Sequence, residues 1–180
     1  EYRNYIFNGH FDYLYDKVGL YDKLRAVECH DVSAAQISYC WQAIDGINDH
    51  MLNFLENHDE QRFASDFFGK DAHNTFAPLY VSLFLNTAPF MIYFGEEVGE
   101  KGMYEEGFSG KDGRTTIFDW WSVGSIRRLR KVIRSGAYKT MDIRELTKEG
   151  LKKEEAEVFV RFAEAIRFAS EDLAITKGTT

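Results

Sequence analysis

The sequence predicts an α/β fold with a parallel sheet, on three observations. Short apolar runs of strand length alternate with longer stretches whose apolar residues recur at helical spacing. Glycine, asparagine and aspartate punctuate the junctions, where the chain must turn. Hydrophobic residues make up 44% of the 180, enough for one sizeable core, so a single domain is expected. Alternation of strand, helix and strand joins parallel neighbours through crossover helices.

The elements follow in order. Tyr5 to Tyr15 mix Tyr, Phe and Ile with Asn, Gly and Asp, which suits a short strand with a turn at each side. "SAAQISYCWQAIDGI" puts Ala34, Ile37, Trp41 and Ile44 on one helical face, and Gly46 and Asn48 end it. "MLNFLE" is short, apolar and flanked by turn residues, as a second strand would be. "HNTFAPLYVSLFLNTA" spaces Phe76, Leu79, Tyr80, Leu83 and Phe84 as a helix, with Pro78 near the first turn where its missing N–H is tolerated. "PFMIYFG" reads as a third, fully buried strand ended by glycine. From Gly95 to Gly113 glycines, acids and lysines mark a long irregular loop. The tail is helical. Ile126, Leu129, Val132 and Ile133 form one stripe; Phe159, Phe162, Ala163, Ile166 and Leu173 form another, within a long amphipathic helix from Leu151 to Leu173. Three strands are few for a closed barrel or a doubly wound sheet, so the chain reads as part of something larger.

Composition narrows the partners. A net charge of −7 argues against nucleic acid, whose phosphates need clustered Lys and Arg, and favours neutral ligands. Asn74 to Gly95 carries no charge and has the length of a membrane span, but Asn86, Thr87 and Pro89 interrupt it. It reads as a helix followed by a strand, and no membrane partner is expected. "EYRNYIFNGH" has neither the basic nor the apolar region of a signal peptide. Cys29 and Cys40 make no CxxC pair; Cys40 reads as a small core residue, and a Cys29–Cys40 disulfide stays open.

In parallel α/β architectures chemistry sits at the carboxyl ends of strands. Two such ends are polar here: Glu56-Asn57-His58-Asp59, with Arg62 one turn on, and Gly95-Glu96-Glu97. A carboxylate beside an imidazole can bind sugar hydroxyls, and a carboxylate stabilises a positively charged transition state. The plainer alternative is that Asn57 or Asp59 caps the next turn and His58 is a satisfied, half-buried histidine. On these residues alone both readings stand.

The motifs add a resemblance. "FLENHDEQR" resembles the F-x-x-N-H-D block at the seventh barrel strand of the α-amylase family of glycoside hydrolases. "APFMIYFGEEVG" is similar to that family's eighth strand and its exit, with Ala88 where Gly is usual and Phe94 in place of a second Tyr. "DGRTTIFDWW", Asp112 to Trp121, resembles the Arg-containing segment that follows, and "FDYLYDKVGLYD", Phe11 to Asp22, the sixth-strand region. The four blocks occur in the family's order.

What the resemblance implies is specific. The fold would be α/β, a fragment of a TIM (β/α)8 barrel comprising roughly strands 6 to 8 with their helices. Residues 1–180 would form the carboxyl-terminal portion of that barrel, without its upstream strands and following β domain. The substrate would be an α-glucan, starch or malto-oligosaccharide. Asp59 matches the catalytic, transition-state-stabilising carboxylate. His58 matches a histidine binding the same sugar, Asn57 belongs to the motif and fixes the strand tip, and Arg62 falls where some members have an arginine contacting that Asp or a chloride. Glu96 matches a structural position that ties down backbone at the strand exit, and Arg114 would reach the site from the long loop.

Retaining hydrolysis also needs a carboxylate nucleophile and an acid/base carboxyl. The family carries these on its fourth and fifth strands, and no G-x-R-x-D nucleophile block occurs in this sequence. The segment alone is therefore expected to be inactive, and to seek its missing barrel half or a second copy to cover its strands. No cofactor is expected to be required; calcium is possible in the intact protein, although no D-x-D-x-D-G loop or other metal motif is present. Family members acting on polymeric starch are usually exported, which favours an extracytoplasmic parent. The alternative function is a non-catalytic carbohydrate-binding protein with the same strand ends. "GFSGKDGRTT", Gly107 to Thr116, fails the P-loop pattern. Trp120-Trp121 would either stack on sugar rings or pack the loop back onto the barrel.

Overall fold

The computed structural model describes residues 1–104, 111–118 and 120–178. Gly107 to Gly110 of the glycine- and lysine-bearing loop, and Asp119 of the Arg-containing segment, lie outside the described residues. The chain divides into two compact units: Glu1–Leu55, Phe76–Met91 and Arg167–Thr180 form one, Glu56–Thr75 and Ile92–Ile166 the other.

The first unit holds a parallel three-stranded sheet in the order β1 (Leu14–Tyr15), β2 (Met51–Phe54), β3 (Phe90–Met91). Leu14 pairs with Met51 and Tyr15 with Leu52; Asn53 pairs with Phe90 and Phe54 with Met91. The expected α/β class with consecutive parallel strands is present. Its first strand is shorter than the sequence suggests. Tyr2–Phe7 form a helix, α1, and only Leu14 and Tyr15 pair with β2. Asn8 N–H and Gly9 N–H both bond to Asn4 carbonyl, closing α1 before the strand begins. The third strand differs as well. Phe90 and Met91 are half-buried rather than fully buried, because among the described residues β3 has a neighbour only on its β2 side.

Helices α2 (Asp22–Glu28), α3 (Ile37–Ala43) and α4 (Phe76–Phe84) connect the strands. On α3 the buried side chain is Cys40, followed by Ile44 and Ile47 beyond the helix end, while Ala34 and Trp41 are exposed. The expected face is thus rotated. A 3₁₀ turn at Ala34–Gln36, capped by Ser33, precedes α3 and shifts its phase. Pro78 lies in the first turn of α4, and the buried face is Phe76, Pro78, Leu79 and Ser82, with Tyr80 outward in a stack between Phe76 and Phe84. Ile6, Ile44, Ile47 and Met51 form a core that Tyr2, Leu14 and Ala88 border. Phe54 is stacked on Tyr21 at 4.8 Å and meets the edge of Tyr15 at 5.0 Å. Both thiols are free, so no disulfide joins Cys29 to Cys40.

The second unit is built on α5 (Gly124–Ser135), α6 (Ile143–Lys148) and the larger part of α7 (Lys153–Glu171). Ile126, Leu129 and Val132 recur on the inner face of α5, and Gly136, at φ +79°, ends it in the left-handed conformation that glycine adopts without strain. Ile133, expected in that stripe, is exposed. Val98, Leu129, Val132, Leu146, Leu151 and Ala156 form the core. Asp142 caps α6 through Arg144 N–H at 2.7 Å, and Glu155 reaches back to Lys152 N–H at 2.9 Å to cap α7. Glu155 also holds Arg128 of α5 through a forked pair of hydrogen bonds. The tail helix does not run through to Leu173. Asp172 accepts from Ala174 N–H at 2.8 Å and starts a separate helix, α8 (Leu173–Lys177), on which Leu173 is exposed. No helix among the described residues is long and apolar enough to cross a membrane, and the charge-free stretch Asn74–Gly95 is divided between α4 and β3.

Candidate active site

Beyond Phe54 the β2 backbone continues through Leu55 and Glu56, both buried, to Asn57. There it turns. Asn57 Oδ1 accepts from Asp59 N–H at 2.8 Å and from Glu60 N–H at 2.9 Å, so the asparagine side chain takes the place of backbone in closing the turn. The turn directs the next two side chains outward. His58 is 54% exposed and Asp59 76%, and His58 Nε2 lies 3.4 Å from Asp59 Oδ2. The result is an imidazole and a carboxylate, side by side and open to solvent, on a buried strand exit. Such a pair can donate to and accept from vicinal hydroxyls, and the carboxylate can face a developing cation.

The support beneath is ionic. Glu56 Oε1 accepts from Phe63 N–H at 2.6 Å, and Glu56 Oε2 accepts from Arg62 Nη1 at 2.7 Å. Together these close residues 56–63 into a loop around the tip. Arg62 is fully enclosed, at 0% exposure. Its Nε donates to Thr115 Oγ1 at 2.9 Å, and its guanidinium lies 4.4 Å from the Tyr93 ring and 5.1 Å from that of Phe94. The resemblance puts Arg62 against Asp59 or a chloride. The structure turns it inward, onto Glu56 and the aromatic pair at the second strand exit, and gives it no exposed surface.

Residues 112–115 brace the same loop from outside. Gly113 carbonyl accepts from Arg62 N–H at 2.6 Å, Asp112 carbonyl from Gln61 Nε2 at 3.1 Å, and Arg114 Nε donates to Asp59 carbonyl at 2.8 Å. Arg114 thus comes to the tip, bonded to its backbone, while its Nη1 lies 3.6 Å from Asp112 Oδ2.

The second polar strand exit lies in the same unit. Glu96 Oε2 accepts from Tyr93 N–H at 3.1 Å and Glu97 Oε2 from Gly95 N–H at 2.7 Å. Gly95 has φ +90°, a conformation that favours glycine, and a Cβ there would stand a tight 3.1 Å from Glu100 Cβ. Glu100 accepts from Gly102 N–H at 2.9 Å and from Ser125 Oγ. Trp120 meets the edge of Phe94 and the edge of Trp121, with both indoles part-exposed.

Several carboxyls therefore crowd one cation. Burial pushes the Glu56 carboxyl up, opposed by the Arg62 guanidinium and by Phe63 N–H. Burial, and then the neighbouring Glu56, raise Glu96 well above the ordinary range. Burial also raises Glu97. Glu96 is the member most favoured in its neutral form, and its Oε1 is buried without a hydrogen-bond partner among the described residues. Sequence reasoning gave no role to Glu56, Thr115 or Glu100. The available signal was a Glu directly after an apolar strand with an Arg six residues on, a spacing that suits an ion-paired loop as well as an exposed pair.

A family model described as "Alpha amylase, catalytic domain" matches residues 10–161, a span that contains both strand exits and their bracing segment. No curated protein and no solved structure matches the chain.

Proposed function

The chain belongs to the α-amylase family of glycoside hydrolases, and from that premise we propose that it forms part of a retaining α-glucan hydrolase. The substrate class is starch or malto-oligosaccharide, and the three strands correspond to the sixth to eighth of a (β/α)8 barrel. One observation carries the reading: the Asn57 turn presents His58 and Asp59 side by side and exposed, on a loop locked from below by the buried Glu56–Arg62 pair.

In this proposal the sugar at the point of cleavage sits over the tip. His58 bonds a hydroxyl of that ring. Asp59 accepts hydroxyl hydrogen bonds whose strength grows as positive charge develops at the anomeric centre, so it stabilises the transition state more than the ground state. Asn57 holds the turn. Arg62, buried and ion-paired, is a positioning residue, as is Arg114 through the Asp59 carbonyl. The nucleophile and the acid/base belong to other strands of the same barrel. Exposed aromatic side chains before β1, Phe7, Phe11 and Tyr13, support packing against further parts of such a barrel. Export of the parent protein would accord with a polymeric substrate.

The test is α-glucan hydrolysis by the natural protein carrying this sequence, wild type against Asp59→Asn. Loss of a carboxylate acting in the transition state should lower turnover by about 10²–10³ or more with the fold unchanged. Undiminished turnover would remove Asp59 from the mechanism. Tight glucan binding with no hydrolysis in the wild type would select the non-catalytic carbohydrate-binding alternative.

A further inference from the structure

Away from the strand exits, Asp71 and His73 stand beside Glu154 and Glu157, which lie nearly one turn apart on α7. Asp71 Oδ1 accepts from His73 N–H at 2.8 Å, and His73 Nδ1 lies 3.0 Å from the same oxygen. On the other side of the ring, His73 Nε2 lies 3.5 Å from Glu157 Oε2. One ligand-type atom from each of Asp71, His73 and Glu154 falls within 4.8 Å of the other two. We propose that Asp71, His73 and Glu154, with Glu157 beside them, form a binding site for one divalent cation of the zinc type.

The chemistry of the donor set decides the class of ion. Calcium and magnesium take oxygen ligands, whereas one imidazole among carboxylates suits zinc, cobalt or nickel. Four-coordinate zinc holds its ligand atoms roughly 3.4 Å apart at bond lengths of about 2.0–2.1 Å. The side chains of Asp71, His73 and Glu154 are part-exposed, and small rotations would close that difference. The cation takes one ring nitrogen of His73; the other ring N–H remains donated to the carboxylate on its own side, which fixes the tautomer.

The backbone is already seated for this. Ala72 is buried between the two ligands Asp71 and His73, and Gly99 lets it approach so closely that a Cβ on Gly99 would stand 2.5 Å from Ala72 Cβ and 3.8 Å from Val158 Cγ2. The Asp71–His73 segment is thereby packed at the start of α7, opposite Glu154 and Glu157. Lys101 lies 3.9 Å from Glu154 and Lys153 3.6 Å from Glu157. Both amines are exposed and can swing away, and their competition sets a moderate rather than extreme affinity. A bound ion would clamp the segment following the Asn-His-Asp tip to α7.

The experiment uses the full chain stripped with chelator. Zn²⁺ is titrated calorimetrically, and Co²⁺ is followed by its visible absorption. The proposal expects one Zn²⁺ per chain, a cobalt spectrum of low coordination number, and no displacement by excess Ca²⁺. His73→Gln and Asp71→Asn should each weaken Zn²⁺ binding at least about tenfold with unchanged circular dichroism, while His10→Gln binds as wild type. Three results would overturn it: no uptake, uptake indifferent to His73→Gln (an adventitious ion only), or displacement of Zn²⁺ by Ca²⁺. None depends on the glycosidase reading.

Discussion

Arg62→Met tests the support beneath the Asn57–Asp59 tip. Methionine keeps an unbranched stem of similar reach and removes the charge. It would leave Glu56, itself 1% exposed, with Phe63 N–H but no counter-ion, and would take the donor from Thr115 Oγ1. Breaking a buried pair by removing one partner costs about 3–5 kcal/mol, because the remaining charge must stay desolvated or take up a proton. The cation–π contact to Tyr93, at 4.4 Å, adds to the loss. We expect about 4 kcal/mol. With a urea slope of about 2 kcal/mol per molar, the unfolding midpoint would fall by roughly 2 M. Trp120 and Trp121 lie in the same unit, Trp120 against Phe94, so tryptophan emission reports the transition there. The double variant Glu56→Gln/Arg62→Met leaves no unpaired charge and should be more stable than Arg62→Met alone by about 2 kcal/mol. A loss under about 1 kcal/mol for Arg62→Met, or a double variant less stable than the single, would refute the claim that this ion pair holds the loop.

Further outcomes follow from the same geometry. Glu96 has a higher proton affinity folded than unfolded, so its stabilisation is complete below the ordinary carboxyl value of 4.5 and is lost as pH rises through the raised folded value. Glu96→Gln keeps an acceptor for Tyr93 N–H and cannot ionise; its melting temperature should overtake wild type as pH rises, and parallel curves would count against a neutral Glu96. Asn57→Ala removes the acceptor of two turn hydrogen bonds and should cost about 1–2 kcal/mol in urea unfolding. If the proposed function holds, it should also weaken malto-oligosaccharide binding, since His58 and Asp59 lose their fixed direction. Asp59→Asn, at an exposed position, should leave stability within about 0.5 kcal/mol, separating its effect on turnover from any effect on folding.

The sequence by itself determined what depends on neighbours along the chain. Strand–helix alternation, the inner stripe of α5 and the turn at Asn57 follow from rules that act over short stretches of chain, and each was legible. Phase and extent were less so. A 3₁₀ turn before α3 left Trp41 outside, α1 replaced most of an expected strand, and Asp172 divided the tail helix, because hydrogen bonds one residue earlier or later re-aim every side chain that follows. Tertiary structure alone decided which polar groups meet. Arg62 reads as a surface cation beside Asp59 until Glu56, Thr115, Tyr93 and Phe94 enclose it; Asp71 and His73 say nothing of a cation until α7 brings Glu154 and Glu157 across from them. Burial multiplies the strength of such charge contacts and the cost of leaving them unmade, and burial is set by chain segments far apart in sequence.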